Sequence, residues 1–131
     1  MPEPTAQDLR SGPGRALVAV YALFTLAAGA RSGVQLATQY AEAPVAYLLS
    51  ALAAVVYLLA TVALWSSRRR VALAAIAIEL AGVLTVGTLS LLDGDLFPDA
   101  TVWSGYGQGY GYIPLVLPVL GLLWLRRSAR P

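Results

Sequence analysis

From Ala43 to Ser67 the chain carries no charged side chain, and nearly every residue in that stretch is apolar or small. A helix needs about 20 residues to cross a hydrocarbon core roughly 30 Å thick. This run alone therefore predicts a transmembrane helix, placed at residues 45–66. Residues 71–92 form a second such run, interrupted only by Glu79, and residues 16–40 a third, interrupted only by Arg31. A soluble domain would carry about twice the 12% of charged residues found among these 131.

The fourth span is less regular. The strongly apolar stretch Ile113–Leu125 would be about 20 Å long as a helix, too short to cross. The charge-free run extends back to Ala100. The Gly/Tyr segment 103–112 is therefore expected to supply part of the crossing, as helix or as irregular backbone covered by protein. Pro114 and Pro118 each remove a helix hydrogen bond, so a kinked helix is expected over 103–125. The fold expected is an all-α membrane protein, a four-transmembrane-helix bundle spanning residues 15–127.

Arginine placement sets the orientation. Arg10 and Arg15 precede the first span, Arg68, Arg69 and Arg70 separate the second from the third, and Arg126, Arg127 and Arg130 follow the fourth. Eight of the nine basic residues, all arginine, thus fall on one side. Both termini are expected in the cytoplasm. Glu42, Asp93, Asp95 and Asp99 lie in the opposite loops. Trp65 and Trp124 just before arginine clusters, and Trp103 on the outer side, suit an aromatic belt. Residues 1–14, with their prolines and glycines, read as a mobile cytoplasmic tail, and 128–131 as a short one. A second reading of the N-terminus stays open. Arg10 and Arg15, an apolar stretch and Ala28-Gly29-Ala30 also fit a cleavable secretory signal.

The chain has no cysteine and no histidine. Disulfides, Cys/His metal sites and His-based nucleophile systems are excluded, and no metal or cofactor is expected. A net charge of +2 does not point to nucleic acid. The expected partners are the lipid bilayer and a second copy or another membrane protein.

Glu79 is the first functional candidate, because a carboxylate near the membrane midplane costs several kcal/mol unless paired, hydrated or protonated. Arg31 is its natural partner, with an axial offset of roughly 6–10 Å from residue counts; the alternative is that Arg31 reaches the outer headgroups. Arg31, Gln35 and Thr38 share a helical face, as do Tyr47, Ser50, Ala54, Tyr57 and Thr61. Such stripes are expected to face the bundle interior, as interhelical glue or as a polar pathway. Gly29 and Gly33 form a G-x-x-x-G pair suited to close packing.

The outer loop 93–99 has three acids, but their spacing is not that of an EF-hand. The stretch 103–112 (WSGYGQGYGY) has glycine at every second position from 105 to 111. Helical, it would present two G-x-x-x-G pairs; irregular, it would make a re-entrant turn. Trp103, Tyr106, Tyr110 and Tyr112 are expected at the outer interface, where amphipathic rings are favoured.

Residues 96–125 (LFPDATVWSGYGQGYGYIPLVLPVLGLLWL) resemble the C-terminal signature of a family of uncharacterised small four-span membrane proteins of high-GC Gram-positive bacteria. The resemblance runs from about Leu17 to Arg127, with Glu-Ala-Pro before span two and Ile-Glu-Leu in span three. It implies the same topology and a plasma-membrane location, and no activity.

Three functions are open at this point. The first is a non-enzymatic interaction or accessory membrane component. The second is an oligomeric small transporter or proton-coupled exporter using Glu79. The small multidrug-resistance transporters share this length and span count, but carry their essential glutamate in span one, where this chain has arginine. The third, a lipid-modifying enzyme, has only Glu79 and the outer aspartates as acid-base groups and is the least favoured.

Overall fold

A computed structural model describes residues 12–128. Both expected tails fall almost wholly outside these residues. The first nonetheless ends earlier than its composition indicated, because helix α1 (Pro13–Thr38) already begins at Pro13. Proline suits that position: it has no N–H to leave unsatisfied, and its φ is already helical. The same holds for α2 (Pro44–Trp65), which starts at Pro44 after a 3₁₀ turn at Tyr40–Glu42.

Helix α2 ends without a glycine. Ser67 takes a left-handed φ of 54°. This lets Arg68 N–H reach the Ala63 carbonyl (2.7 Å) and Ser67 N–H reach that of Leu64 (3.2 Å). The pair of bonds is a Schellman closure. It reverses the chain within the three residues Ser66, Ser67 and Arg68, and α3 (Arg69–Leu92) runs back antiparallel.

At 26, 22 and 24 residues, these three helices are long and apolar enough to cross a membrane. The fourth helix, α4 (Ile113–Ser128), has 16 residues and is too short by itself. It qualifies only together with the turns at 104–110, from which it is bent by 99°. That bend falls at 111–112, ahead of both prolines; α4 continues unbroken through Pro118. Among the described residues there is no strand.

The bundle is turned inside out relative to a soluble one. On α2 the exposed residues include Leu48, Leu52, Val55, Leu59 and Val62, while Ala46, Ala53, Ala60, Tyr47 and Tyr57 are buried. Small residues on the inner face let backbones approach, and the large aliphatics suit a lipid surround. Helices α1 and α2 pack along much of their length, and a Cβ on Gly29 would lie 4.0 Å from that of Ala54. Helix α4 packs on α3 and touches α1 only sparsely. Arg15, Arg68–Arg70 and Arg126–Arg127 all lie at one end of the bundle, and Glu42 and the three aspartates at the other. The bundle thus has an arginine end and an acidic end.

Candidate functional site

Glu79 is wholly buried on the inner face of α3. The partner it finds is not Arg31 but Tyr21 of α1, whose hydroxyl donates to Oε1 at 2.5 Å. Helix lengths explain the difference. Arg31 lies 18 residues along α1 and Glu79 ten residues along α3, counted from the arginine end. At 1.5 Å per residue the offset is about 12 Å, beyond the range counted from a span beginning at residue 16. Tyr21, eight residues into α1, is at nearly the same depth as Glu79. The other carboxylate oxygen, Oε2, is buried with no hydrogen-bond partner.

A second polar contact sits toward the acidic end. Trp103 is almost fully buried, and its Nε1 donates to the Tyr57 hydroxyl at 2.8 Å. The Trp103 ring lies edge-on to Tyr57, with centroids 6.3 Å apart. Tyr21 and Phe24 also pack on Tyr57, at 6.2 and 5.6 Å. Trp103 reaches this depth because residue 82 is glycine. A Cβ there would meet the indole at 2.5 Å. Gly82 lies three residues beyond Glu79 on the same helical face. The indole therefore covers the bundle one turn away from the buried carboxyl.

The rest of the Gly/Tyr segment is a folded cap. Gly105, Gly107 and Gly111 have φ of 58°, 87° and 65°, and Tyr106 and Tyr112 share the left-handed region. These angles make consecutive 3₁₀ turns at Ser104–Tyr106 and Gln108–Tyr110. Glycine adopts them freely, whereas a tyrosine there is strained. Tyr106 is held by its surroundings: its ring lies over Gly87, and its hydroxyl shares a 2.9 Å hydrogen bond with Thr88. Ser90 Oγ accepts from Gly105 N–H at 2.8 Å, and Ser50 Oγ from Val102 N–H at 3.4 Å. Tyr47 donates to Asp99 Oδ2 at 2.8 Å. Asp99 is thus tied to α2, and among the described residues no three carboxylates gather as a metal site would require.

The residues expected to act together are therefore divided. Arg31 is exposed and donates through Nη1 to the Tyr110 hydroxyl at 3.0 Å, joining α1 to the cap. Thr38 is exposed too; of the expected α1 stripe only Gln35 turns inward, its Oε1 buried without a partner. The α2 stripe is largely as expected, with Tyr47, Ser50 and Tyr57 buried. Trp103 and Tyr57 meet, and the Tyr110 ring lies tilted against Phe24, with centroids 5.7 Å apart. Trp103 is drawn well inside the bundle rather than lying at its surface. Tyr112 alone of the four cap aromatics is half exposed. Tyr21 was missed by sequence reasoning. The signal for it was the i, i+3, i+7 series Tyr21, Phe24 and Ala28, which marks the inner face of α1 more accurately than the polar residues do.

No family model matches the chain, and neither a curated protein nor a solved structure matches it. What the site can do therefore rests on its geometry. Two of the clefts among the described residues bear on function. One is lined by apolar residues of α1 and α4 with Arg127. The other lies at the α2–α3 turn among Ser67, Arg68, Arg69, Arg70 and Val71. Neither holds a carboxylate to act as acid or base.

Proposed function

We propose that the chain is a four-span bundle of the bacterial plasma membrane, with both ends in the cytoplasm, serving as a non-enzymatic interaction or accessory component. The observation that carries this reading is the setting of Glu79. It is fully buried, hydrogen-bonded to Tyr21, and separated from the acidic end by the indole of Trp103. A carboxyl that exchanged protons across the membrane would need water contact from each side in turn. Here Tyr21 with Glu79, Thr25 with Thr61, Tyr57 with Trp103 and Tyr47 with Asp99 bond between elements, as glue that fixes one packing.

A proton-coupled exporter built on Glu79 is the second reading. Its support is the unpartnered Oε2, an atom that a water or a proton would satisfy.

Flux separates the two. Purified protein is reconstituted into vesicles loaded with a pH-sensitive dye, and proton entry is followed under an imposed gradient. The accessory reading expects wild type and Glu79→Gln to match empty vesicles. Proton entry in wild type that Glu79→Gln abolishes would establish the exporter instead.

A further inference from the structure

Among the described residues, an apolar cleft opens between α1 and α4. It has a volume of about 400 Å³ and runs from Pro13 to Val20 on α1 and from Leu117 to Arg127 on α4. Its walls are apolar, with Leu17, Val20, Leu117 and Leu120 among them; the only charged lining residue, Arg127, stands at the arginine end. The ten helical steps from Leu117 to Arg127 make the cleft about 15 Å long. That is half of a hydrocarbon core of about 30 Å, the depth of one leaflet.

We propose that this cleft holds one acyl chain of an anionic phospholipid, with the lipid phosphate on the guanidinium of Arg127. Length and wall chemistry fit a hydrocarbon chain. Charge selects the headgroup, since Arg15 and Arg126 are exposed at the same end and add to the positive field. The same charges argue against a second copy as occupant. A two-fold axis along the membrane normal would set α1 and α4 of both copies face to face. It would then bring Arg15 and Arg127 against their own equivalents, a like-charge contact. The proposal rests on the chain's spanning a membrane, and is independent of what the protein partners.

The test is native mass spectrometry of the full chain in detergent, titrated with phosphatidylglycerol or with phosphatidylcholine of the same acyl chains. Wild type is expected to retain one phosphatidylglycerol about fivefold more tightly than phosphatidylcholine, the size of one guanidinium–headgroup interaction. Arg127→Gln removes the preference and leaves phosphatidylcholine retention unchanged. Leu120→Trp, a change at an exposed wall residue that fills the cleft, removes both. Arg126→Gln, outside the lining, keeps the preference. Equal retention of the two lipids by wild type overturns the proposal. So does a preference that survives both Arg127→Gln and Leu120→Trp, or a protein dimer that Leu120→Trp abolishes. Release of the chain from membranes by alkaline carbonate would instead sink the membrane-spanning reading itself.

Discussion

Tyr21 and Glu79 are joined by one hydrogen bond, and the second carboxylate oxygen has no hydrogen-bond partner. Removing the tyrosine hydroxyl leaves both carboxylate oxygens buried and unpartnered. The cost of stranding a buried polar group is about 1–3 kcal/mol. Tyr21→Phe is therefore expected to lower stability by that amount in a mixed-micelle SDS titration. Tyr110→Phe removes only the exposed bond from Arg31 and is expected to cost about 1 kcal/mol or less. Equal losses in the two variants would contradict the assignment of Tyr21 as the partner that matters. Of this pair, Glu79 was legible in the sequence and Tyr21 was not. A carboxylate within an apolar run is conspicuous because lipid penalises it. A tyrosine in such a run carries little penalty, and its role depends on how α1 is rotated. That rotation is set by the small and aromatic residues of the inner face, and these turn Arg31 outward.

At the scale of elements, the first three helices follow almost directly from uninterrupted hydropathy, and the cap does not. Alternating glycines are equally consistent with a tight helix pair and with irregular backbone. The choice turns on φ angles, which depend on what each residue packs against. Here Gly107 is buried at φ 87°, and a Cβ on it would lie 2.6 Å from the Pro114 ring. Gly109, two residues on, is exposed, has no positive φ, and would place a Cβ in open space. Alanine at these two positions gives a matched comparison. Gly107→Ala is expected to cost at least about 1–2 kcal/mol for the left-handed residue alone, with the proline collision added. Gly109→Ala is expected to stay within about 0.5 kcal/mol of wild type. Thermal unfolding in detergent, followed by near-ultraviolet circular dichroism, reads both. If the cap were helical, the order would vanish, since alanine is favoured over glycine at any interior helix position.

The whole molecule has two unlike ends, and that asymmetry carries the remaining prediction. Helices α2 and α3 are joined at the arginine end by a three-residue turn, with Arg70 exposed beside it. At the acidic end, the segment from Asp93 to Tyr112 folds over the bundle and brings Trp103, Tyr106 and Tyr110 down onto α1, α2 and α3. Short arginine-rich loops are retained in the cytoplasm, while acidic residues have little influence on orientation. On this rule the cap is expected outside, and the arginine turn inside. Because the chain has no cysteine of its own, single cysteines report this directly. Asp95 and Arg70 are both exposed, so each can be replaced without disturbing the core. In intact cells, Asp95→Cys is expected to react with a membrane-impermeant maleimide and Arg70→Cys to react only after permeabilisation. The reverse pattern would invert the bundle and place the Arg127 cleft in the outer leaflet. Labelling of both in intact cells would mean that the two ends do not lie on opposite sides, and the four-span arrangement would fall with it.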